Sequence, residues 1–217
     1  MHVSDTARQE ALQLAESLRR KGIRDERVLQ AIATVPRERF VPADEQTMAY
    51  QDIALPLKCG QTVSQPYIVA LMTEALAPRP TDTILEIGGG SGYQAAILSQ
   101  LVDRVITVER IPELAEEAEQ RLRSLGIGNV EVHVGDGTLG WPPEAPYDGI
   151  IVTAAAPKLP QPLLEQLKPG RHLVIPVGDE WLQRLVRVRR DGDILHEEPL
   201  CDCRFVKLVG RYGWPET

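Results

Sequence analysis

The stretch Leu85-Glu86-Ile87-Gly88-Gly89-Gly90-Ser91-Gly92-Tyr93 decides how this chain folds. It begins in a short apolar run that is typical of a buried strand, and it ends where a helical pattern starts. Glycines at such a junction let the backbone approach a ligand closely, and they leave the first N–H groups of the helix free to bind it. The stretch therefore predicts a ligand site at the end of a strand in an α/β sheet.

The spacing of these glycines does not identify the ligand. The loop reads G-x-G-x-G, and Tyr93 stands where a dinucleotide fingerprint would have its third glycine. A nicotinamide cofactor therefore remains an alternative on this motif alone. A tight turn without any ligand is a second alternative, which three spaced glycines between a strand and a helix disfavour.

Strands and helices alternate in the sequence around this loop. Apolar runs predict strands at 83–87, 104–108, 130–134, 147–153 and 172–177, and helical spacing predicts helices at 66–77, 93–101, 112–125 and 163–167. Pro112 in the first turn of one helix and Gly126 at its end are typical helix boundaries. This alternation predicts a doubly wound, mostly parallel sheet.

The two ends of the chain have a different character. Residues 1–35 show the four-residue spacing of two helices, and the stretch from Pro36 to Pro66 is rich in loop signals. Apolar stretches at 182–188, 194–200 and 204–209 predict antiparallel strands, the first two joined by a turn at Asp191-Gly192-Asp193. We therefore predict one domain over 1–217, with N-terminal helices and a long loop (1–80), an α/β core (81–178) and an antiparallel extension (179–217).

Composition argues against several functional classes. The formal net charge is −7, and acidic residues surround each basic run, so we expect no nucleic-acid partner. No stretch approaches the roughly 18 apolar residues that a membrane-spanning helix needs. The N-terminal residues lack the apolar core of a signal peptide, so we expect a cytoplasmic protein that does not act at a membrane.

The three cysteines, Cys59, Cys201 and Cys203, cannot all form disulfides with one another, which suits a reducing compartment. The C-x-C spacing differs from the C-x-x-C of common metal and redox motifs, and no second Cys or His pair lies nearby. We interpret Cys201 and Cys203 as two residues on one face of a strand. We expect no metal site and assign no role to Cys59.

Carboxylates follow the next two predicted strands. Glu109 ends the second strand, where a carboxylate can accept hydrogen bonds from both hydroxyls of a ribose. The third strand ends in Gly135-Asp136-Gly137, where Asp136 can accept from an adenine amino group or can simply form a turn. Ligands of open α/β sheets bind at the carboxyl ends of strands, so these residues predict a nucleoside site that suits NAD and S-adenosylmethionine equally.

Several segments outside the glycine loop carry a more specific resemblance. These are Val35-Pro36-Arg37, Phe40-Val41-Pro42, Gly60-Gln61-Thr62-Val63-Ser64-Gln65-Pro66, Glu109-Arg110-Ile111-Pro112, Val134-Gly135-Asp136-Gly137, Tyr147-Asp148-Gly149-Ile150-Ile151-Val152-Thr153-Ala154-Ala155 and Phe205-Val206-Lys207-Leu208-Val209-Gly210. Together they resemble the class I S-adenosylmethionine methyltransferases and, more narrowly, the protein-L-isoaspartate O-methyltransferases. The chain departs from that family at Gly89, where Thr is usual, and at Lys207, where Pro is frequent.

The resemblance implies a Rossmann-like fold and a repair activity. A methyl group would pass from S-adenosylmethionine to the α-carboxylate of an L-isoaspartyl residue in a damaged protein or peptide, leaving S-adenosylhomocysteine. The ester would then close to a succinimide, which reopens partly to normal aspartate. The resemblance also implies cofactor-binding residues, namely Gly88, Gly90, Ser91, Gly92, Glu109, Asp136 and Gly137. We expect a monomer.

Ser64 is the catalytic residue that the resemblance implies, with Thr62 and Val63 beside it as substrate-binding residues. A serine hydroxyl can donate to a carboxylate oxygen and orient it, and backbone N–H groups of Thr62 and Val63 can hold the peptide. On local sequence alone, Ser64 lies just before Pro66 and reads more readily as a helix N-cap. The two roles can coexist.

The implied reaction needs positioning more than acid–base catalysis. A free carboxylate has a pKa of about 4 and is already ionised at neutral pH. No general base is required, and the histidines His2, His133, His172 and His196 are scattered along the sequence. Holding the carboxylate, methyl carbon and sulfur in line accounts for several kcal/mol of a barrier of this kind.

Three other functions remain open on the sequence. A related methyltransferase acting on an aspartate of one dedicated peptide is the principal alternative, and such enzymes often carry an extension that this chain lacks. A NAD-dependent reductase is disfavoured by Tyr93, and a non-catalytic binding protein is disfavoured by the presence of Ser64, Glu109 and Asp136 together.

Overall fold

A computed structural model describes residues 5–192 and 194–216. Its helices are α1 (Asp5–Arg20), α2 (Glu26–Thr34), α3 (Pro66–Leu76), α4 (Tyr93–Ser99), α5 (Pro112–Ser124) and α6 (Gln161–Glu165). Its strands are β1 (Leu55–Pro56), β2 (Thr62–Val63), β3 (Thr83–Ile87), β4 (Arg104–Glu109), β5 (Val130–Val134), β6 (Tyr147–Val152), β7 (Leu167–Gly178), β8 (Gln183–Asp191) and β9 (Ile194–Cys203). Among these residues, no helix is both long enough and apolar enough to span a bilayer.

The main sheet has seven strands in the order β5-β4-β3-β6-β7-β8-β9. The strands from β5 to β7 pair in parallel, and β8 and β9 extend the sheet as antiparallel strands. From β3 the chain first builds outward through β4 and β5, and it then returns to the other side of β3 with β6. This reversal opens a crevice at the carboxyl ends of β3 and β6, where doubly wound sheets bind their ligands.

Two apolar clusters cover the two faces of this sheet. Successive strand residues point to opposite faces, so Ile84 belongs to one cluster and Leu85 to the other. The first cluster packs the sheet against α1 to α4, and the second packs it against α6. The predicted doubly wound, mostly parallel fold with N-terminal helices and an antiparallel extension is therefore confirmed.

One predicted element is displaced by two residues, and another is wrong. The helix predicted at 163–167 is α6, which ends at Glu165, and Leu167 already starts β7. The segment 204–209 does not form a third antiparallel strand. The Ala155 N–H donates to the Val206 carbonyl and the Leu208 N–H donates to the Ala155 carbonyl, each at 2.8 Å. The segment therefore forms a single parallel bridge with Ala155, just beyond the carboxyl end of β6.

Two smaller predictions concern β8 and β9. Cys201 and Cys203 both lie in β9 and both pack against the first cluster, which confirms that they share a face. Burial raises the pKa of the Cys203 thiol to about 12. The predicted turn joins β8 to β9, but its residue Asp193 lies outside the described residues.

Candidate active site

A cavity of about 330 Å³ lies at the carboxyl ends of β3, β4 and β6. Its walls include residues 88–91 of the glycine loop (88–92), the acceptor loop (60–64) and a C-terminal segment (206–209). Of the predicted site residues, those that line it are Thr62, Val63, Ser64, Gly88, Gly90, Ser91, Glu109 and Gly137. The fold thus gathers most of the predicted site, from sequence positions far apart, into one chamber.

The glycine loop is shaped by left-handed backbone conformations at Gly88 (φ 92°) and Gly92 (φ 86°). A Cβ on Gly88 would lie 2.5 Å from Thr153 Oγ1, so a side chain is excluded there. Gly92 does not line the cavity. It is the N-cap of α4, and a Cβ on it would lie 3.3 Å from the Ala118 Cβ of α5, so its glycine serves the turn and the packing of the two helices.

Gly89 stands where the family usually has Thr, and the packing around it explains this difference. A Cβ at this position would lie 2.8 Å from the Thr107 hydroxyl of β4. Such contacts are closer than van der Waals packing allows, so a larger residue would require Thr107 to move. Glycine at position 89 therefore accommodates Thr107 beneath the loop.

Glu109 is positioned by the end of β4 and is 7% exposed. One carboxylate oxygen accepts a hydrogen bond from the Gly90 N–H and the other accepts one from the Ile111 N–H, each at 2.9 Å. A carboxylate has about four acceptor positions, so two remain for a ligand. Glu109 thus braces the glycine loop while its carboxylate lines the cavity.

The Asp136 side chain has other partners. Its Oδ1 accepts from the Thr138 N–H at 2.9 Å and from the Thr138 hydroxyl at 2.6 Å, and its Oδ2 accepts from the Arg211 N–H at 2.8 Å. Gly137 lines the cavity, whereas Asp136 is not among the lining residues. Asp136 therefore ties the chain after β5 to the C-terminal region, and its contact with adenine stays a prediction.

The acceptor loop begins in a small hairpin of β1 and β2. Leu55 pairs with Val63, and Cys59 and Gly60 form the reversal with left-handed φ angles of 56° and 68°. The structure assigns the N-cap of α3 to Gln65 and finds no side-chain hydrogen bond there, so the helix-cap interpretation of Ser64 is wrong. Within the described residues the Ser64 hydroxyl has no hydrogen-bond partner, and the residue lines the cavity.

Arg37 is a site residue that the sequence did not reveal. Its side chain is completely buried, and its Nε and Nη2 donate to the carbonyls of Ala49 and Ser64, both at 2.8 Å. The guanidinium carbon lies 4.6 Å from the ring centroid of Tyr93, the first residue of α4. Arg37 thus connects the acceptor loop to the helix that follows the glycine loop. Only its place in the Val35-Pro36-Arg37 segment of the resemblance hinted at this.

Glu86 is a second residue that the sequence did not single out. It is fully buried in β3, one residue before Ile87 and the glycine loop, and its carboxyl oxygens have no hydrogen-bond partner among the described residues. Burial raises its pKa to about 8, and the negative charge of Glu109 adds to the shift. Glu86 is therefore largely protonated at neutral pH.

The described histidines lie away from the cavity. His133 stacks on Trp141 with ring centroids 4.0 Å apart, and the His172 ring lies 3.3 Å from the Leu76 carbonyl. His133 also lies near Glu131 and Glu144, but Arg104 forms salt bridges to both of these carboxylates. The guanidinium of Arg104 therefore offsets part of the negative charge of this cluster. His196 lies in β9, and His2 lies outside the described residues.

The chain matches a known family over almost its whole length. The model of the protein-L-isoaspartate (D-aspartate) O-methyltransferases matches residues 8–213. The chain belongs to this family. It is 58% identical over 205 residues to protein-L-isoaspartate O-methyltransferase 2 of Pelobacter propionicus, covering 94% of this chain and 91% of the relative. It is 55% identical over 194 residues to the Methanoregula boonei protein-L-isoaspartate O-methyltransferase, covering 89% of each.

Solved structures give the same answer for the fold. A protein-L-isoaspartate O-methyltransferase that is 30% identical superposes with a TM-score of 0.85 over 93% of this chain and 66% of the other. A Plasmodium falciparum beta-aspartate methyltransferase in complex with S-adenosyl-L-homocysteine superposes with a TM-score of 0.79 at 24% identity, covering 92% of this chain and 98% of the other. The predicted membership of the class I methyltransferases is confirmed, and the reductase and non-catalytic alternatives are not supported.

Proposed function

We propose that this protein-L-isoaspartate O-methyltransferase family member methylates the α-carboxylate of L-isoaspartyl residues in damaged proteins and peptides. S-adenosylmethionine donates the methyl group, S-adenosylhomocysteine is the product, and the ester starts repair through a succinimide. One observation carries the proposal: the Ser64 hydroxyl, without a protein partner among the described residues, lines the same cavity as the glycine loop and Glu109. A dedicated aspartyl peptide as substrate is not favoured by the relatives.

The cavity wall suits the cofactor. The absence of a side chain at Gly88 exposes backbone at the strand end, and the buried Glu109 carboxylate offers two further acceptor positions. Backbone groups of Gly88, Gly90 and Ser91 would lie along the cofactor, Glu109 would accept from its ribose, and Gly137 would lie beside its adenine. When bound, the cofactor supplies an electrophilic methyl group on a sulfonium.

The residues of the acceptor loop would bind and orient the isoaspartyl substrate. The isoaspartyl α-carboxylate has a pKa of about 4 and needs no base to become a nucleophile. Ser64 would donate a hydrogen bond to one carboxylate oxygen, which fixes the direction of the other, while Thr62 and Val63 hold the peptide backbone. Arg37 keeps the Ser64 carbonyl, and with it the loop, in place.

We further propose that residues 1–217 form one methyltransferase domain that works as a monomer in the cytoplasm. A single family model spanning 8–213 supports one domain. The three cysteines are all unpaired, which supports a reducing compartment.

A matched peptide pair tests this function. The two peptides share one sequence and differ only in an aspartyl or an isoaspartyl linkage, and label from S-adenosylmethionine is followed into each. We expect label in the isoaspartyl peptide alone, at a rate nearly constant from about pH 6 to 8 because the acceptor titrates near 4. Equal labelling of both peptides would contradict the proposal, and a steep rise through neutral pH would reveal a titrating base.

A further inference from the structure

A second surface lies at the rim of the cavity, on the tip of the β7–β8 hairpin (179–182). Trp181 is 87% exposed and Leu182 is 60% exposed, which makes them two of the most exposed large apolar residues that the structure describes. Single exposed apolar residues are common on protein surfaces, but a tryptophan and a leucine side by side at a functional edge are less so.

Hydrogen bonds hold this hairpin tip in one shape. Asp179 Oδ1 accepts from the N–H groups of Trp181 and Leu182, each at 2.7 Å, and the Asp179 N–H donates to the Leu182 carbonyl at 3.1 Å. The bonds to the carboxylate lower the pKa of Asp179. The tip therefore presents its apolar side chains on an ordered turn, which reduces the entropy cost of using them in binding.

The hairpin tip is joined to the cavity wall. Glu180 forms a 2.6 Å salt bridge with Lys207, which lines the cavity and replaces the proline that is frequent in the family. The Gln183 side chain accepts from the Phe205 N–H at 2.6 Å, so the base of the tip is also fixed to the segment that closes the cavity. Trp181 thus lies one residue from a direct contact with the wall of the candidate site.

We infer that the hairpin tip (179–182) is a docking surface for apolar side chains that flank the isoaspartyl residue in a substrate polypeptide. This inference rests on the proposed function. An isoaspartyl residue inside the cavity belongs to a chain that continues outside it, and that chain must cross the rim. Folded proteins bury their apolar side chains and unfolded segments expose them, so Trp181 and Leu182 favour damaged sites in unfolded segments.

Two isoaspartyl peptides of equal length test this surface. In one, apolar residues flank the isoaspartyl residue, and in the other, serines replace them. We expect the wild-type protein to favour the apolar peptide in kcat/KM on the order of tenfold, as burial of part of a tryptophan and a leucine would give. In Trp181→Ser and in the double variant with Leu182→Ser, this ratio should fall towards one, mainly through KM.

Ile194→Ser is the matched control, because Ile194 is 62% exposed but starts β9, where it pairs with Asp191 at the end of β8 that lies away from the cavity. It should keep the wild-type ratio, and near-identical melting curves will show that all variants are folded. A wild-type ratio near one, a ratio that Trp181→Ser leaves intact, or a dimer that Trp181→Ser dissociates would each overturn the docking surface. Failure to methylate either isoaspartyl peptide would instead overturn the proposed function itself.

Discussion

At the scale of single residues, the acceptor side of the cavity depends on Ser64 and Arg37. Ser64 lines the cavity with a hydroxyl that has no hydrogen-bond partner in the described part of the chain, and Arg37 Nη2 donates to the Ser64 carbonyl at 2.8 Å. A fully buried guanidinium is costly to maintain unless its hydrogen bonds are met. Its Nε and Nη2 donate to backbone carbonyls of separate loop segments, whereas its Nη1 has no hydrogen-bond partner among the described residues. Arg37 therefore fixes the position of the Ser64 backbone beside the cavity.

We expect Ser64→Ala to lower catalytic efficiency by roughly ten- to 150-fold. This range corresponds to the loss of one hydrogen bond to a charged group, about 1.5–3 kcal/mol, felt in the transition state. The dissociation constant for S-adenosylmethionine and the melting temperature should change little, because Ser64 does not cap α3. Steady-state kinetics, calorimetry and thermal melts measure the three quantities.

Ser64→Thr is the companion variant, since it keeps a hydroxyl and adds a methyl group. Normal melting with slow turnover would indicate that the acceptor geometry is crowded. A loss of less than about threefold in the alanine variant would show that Ser64 is not the orienting residue.

We expect Arg37→Lys to fold but to turn over peptide about tenfold more slowly. Lysine keeps a hydrogen-bond donor at this position, but it lacks the planar fork that holds the carbonyls of Ala49 and Ser64 together. The change should appear in kcat and in KM for the peptide, with S-adenosylmethionine affinity within about twofold of wild type. Arg20→Lys, at an exposed arginine of α1, is the control. A lower melting temperature with unchanged kinetics would mean that Arg37 serves stability alone.

At the scale of elements, Glu109 connects β4, the glycine loop and the start of α5. Its two oxygens accept from the N–H groups of Gly90 and Ile111, so one side chain sets the spacing of three elements around the cavity. The C-terminal segment contributes the opposite wall, because its backbone bonds to Ala155 just beyond the end of β6.

We expect Glu109→Ala to weaken S-adenosylmethionine binding by about 1.5–3 kcal/mol, the range for hydrogen bonds to a charged group. The loss combines the missing ribose acceptor with a less constrained glycine loop, and calorimetry measures the sum. Glu113→Ala, at an exposed carboxylate in the first turn of α5, is the control for charge. An unchanged dissociation constant in Glu109→Ala would show that the ribose lies elsewhere.

At the scale of the whole molecule, Glu86 makes stability depend on pH. Burial raises its pKa in the folded state from 4.5 to about 8, so between these values the folded protein holds a proton that the unfolded chain releases. The contribution of Glu86 to stability is therefore complete below about pH 4.5 and is lost as the pH rises through about 8.

We expect Glu86→Gln to remove this dependence, because glutamine is nearly isosteric and never ionises. The difference in free energy of unfolding, variant minus wild type, should grow in favour of the variant by up to about 1.4 kcal/mol per pH unit between pH 5 and 8. Denaturant titrations of both proteins at matched pH values measure it. Parallel pH curves would show that Glu86 ionises normally in the folded protein.

The sequence predicted most of the fold because its signals are local. Apolar runs and the punctuation by Pro112 and Gly126 predicted β3 and β5 at the observed bounds and most other elements to within a few residues. The sequence-based prediction failed where contacts between residues far apart in the chain decide the local structure. The segment 204–209 has the periodicity of a strand, yet its backbone forms hydrogen bonds with Ala155, about fifty residues earlier, instead of extending the antiparallel sheet.

By itself, the sequence determined the doubly wound sheet, the glycine loop at its switch point and the family. These depend on periodicity, on backbone freedom at glycine and on motifs that are contiguous in the chain. Only the tertiary structure decided that Arg37 is buried behind Ser64, that Asp136 binds Thr138 and Arg211, and that burial raises the pKa of Glu86. The physical reason is that hydrogen-bond partners and solvation are properties of the packed molecule, because they depend on residues that only folding brings together.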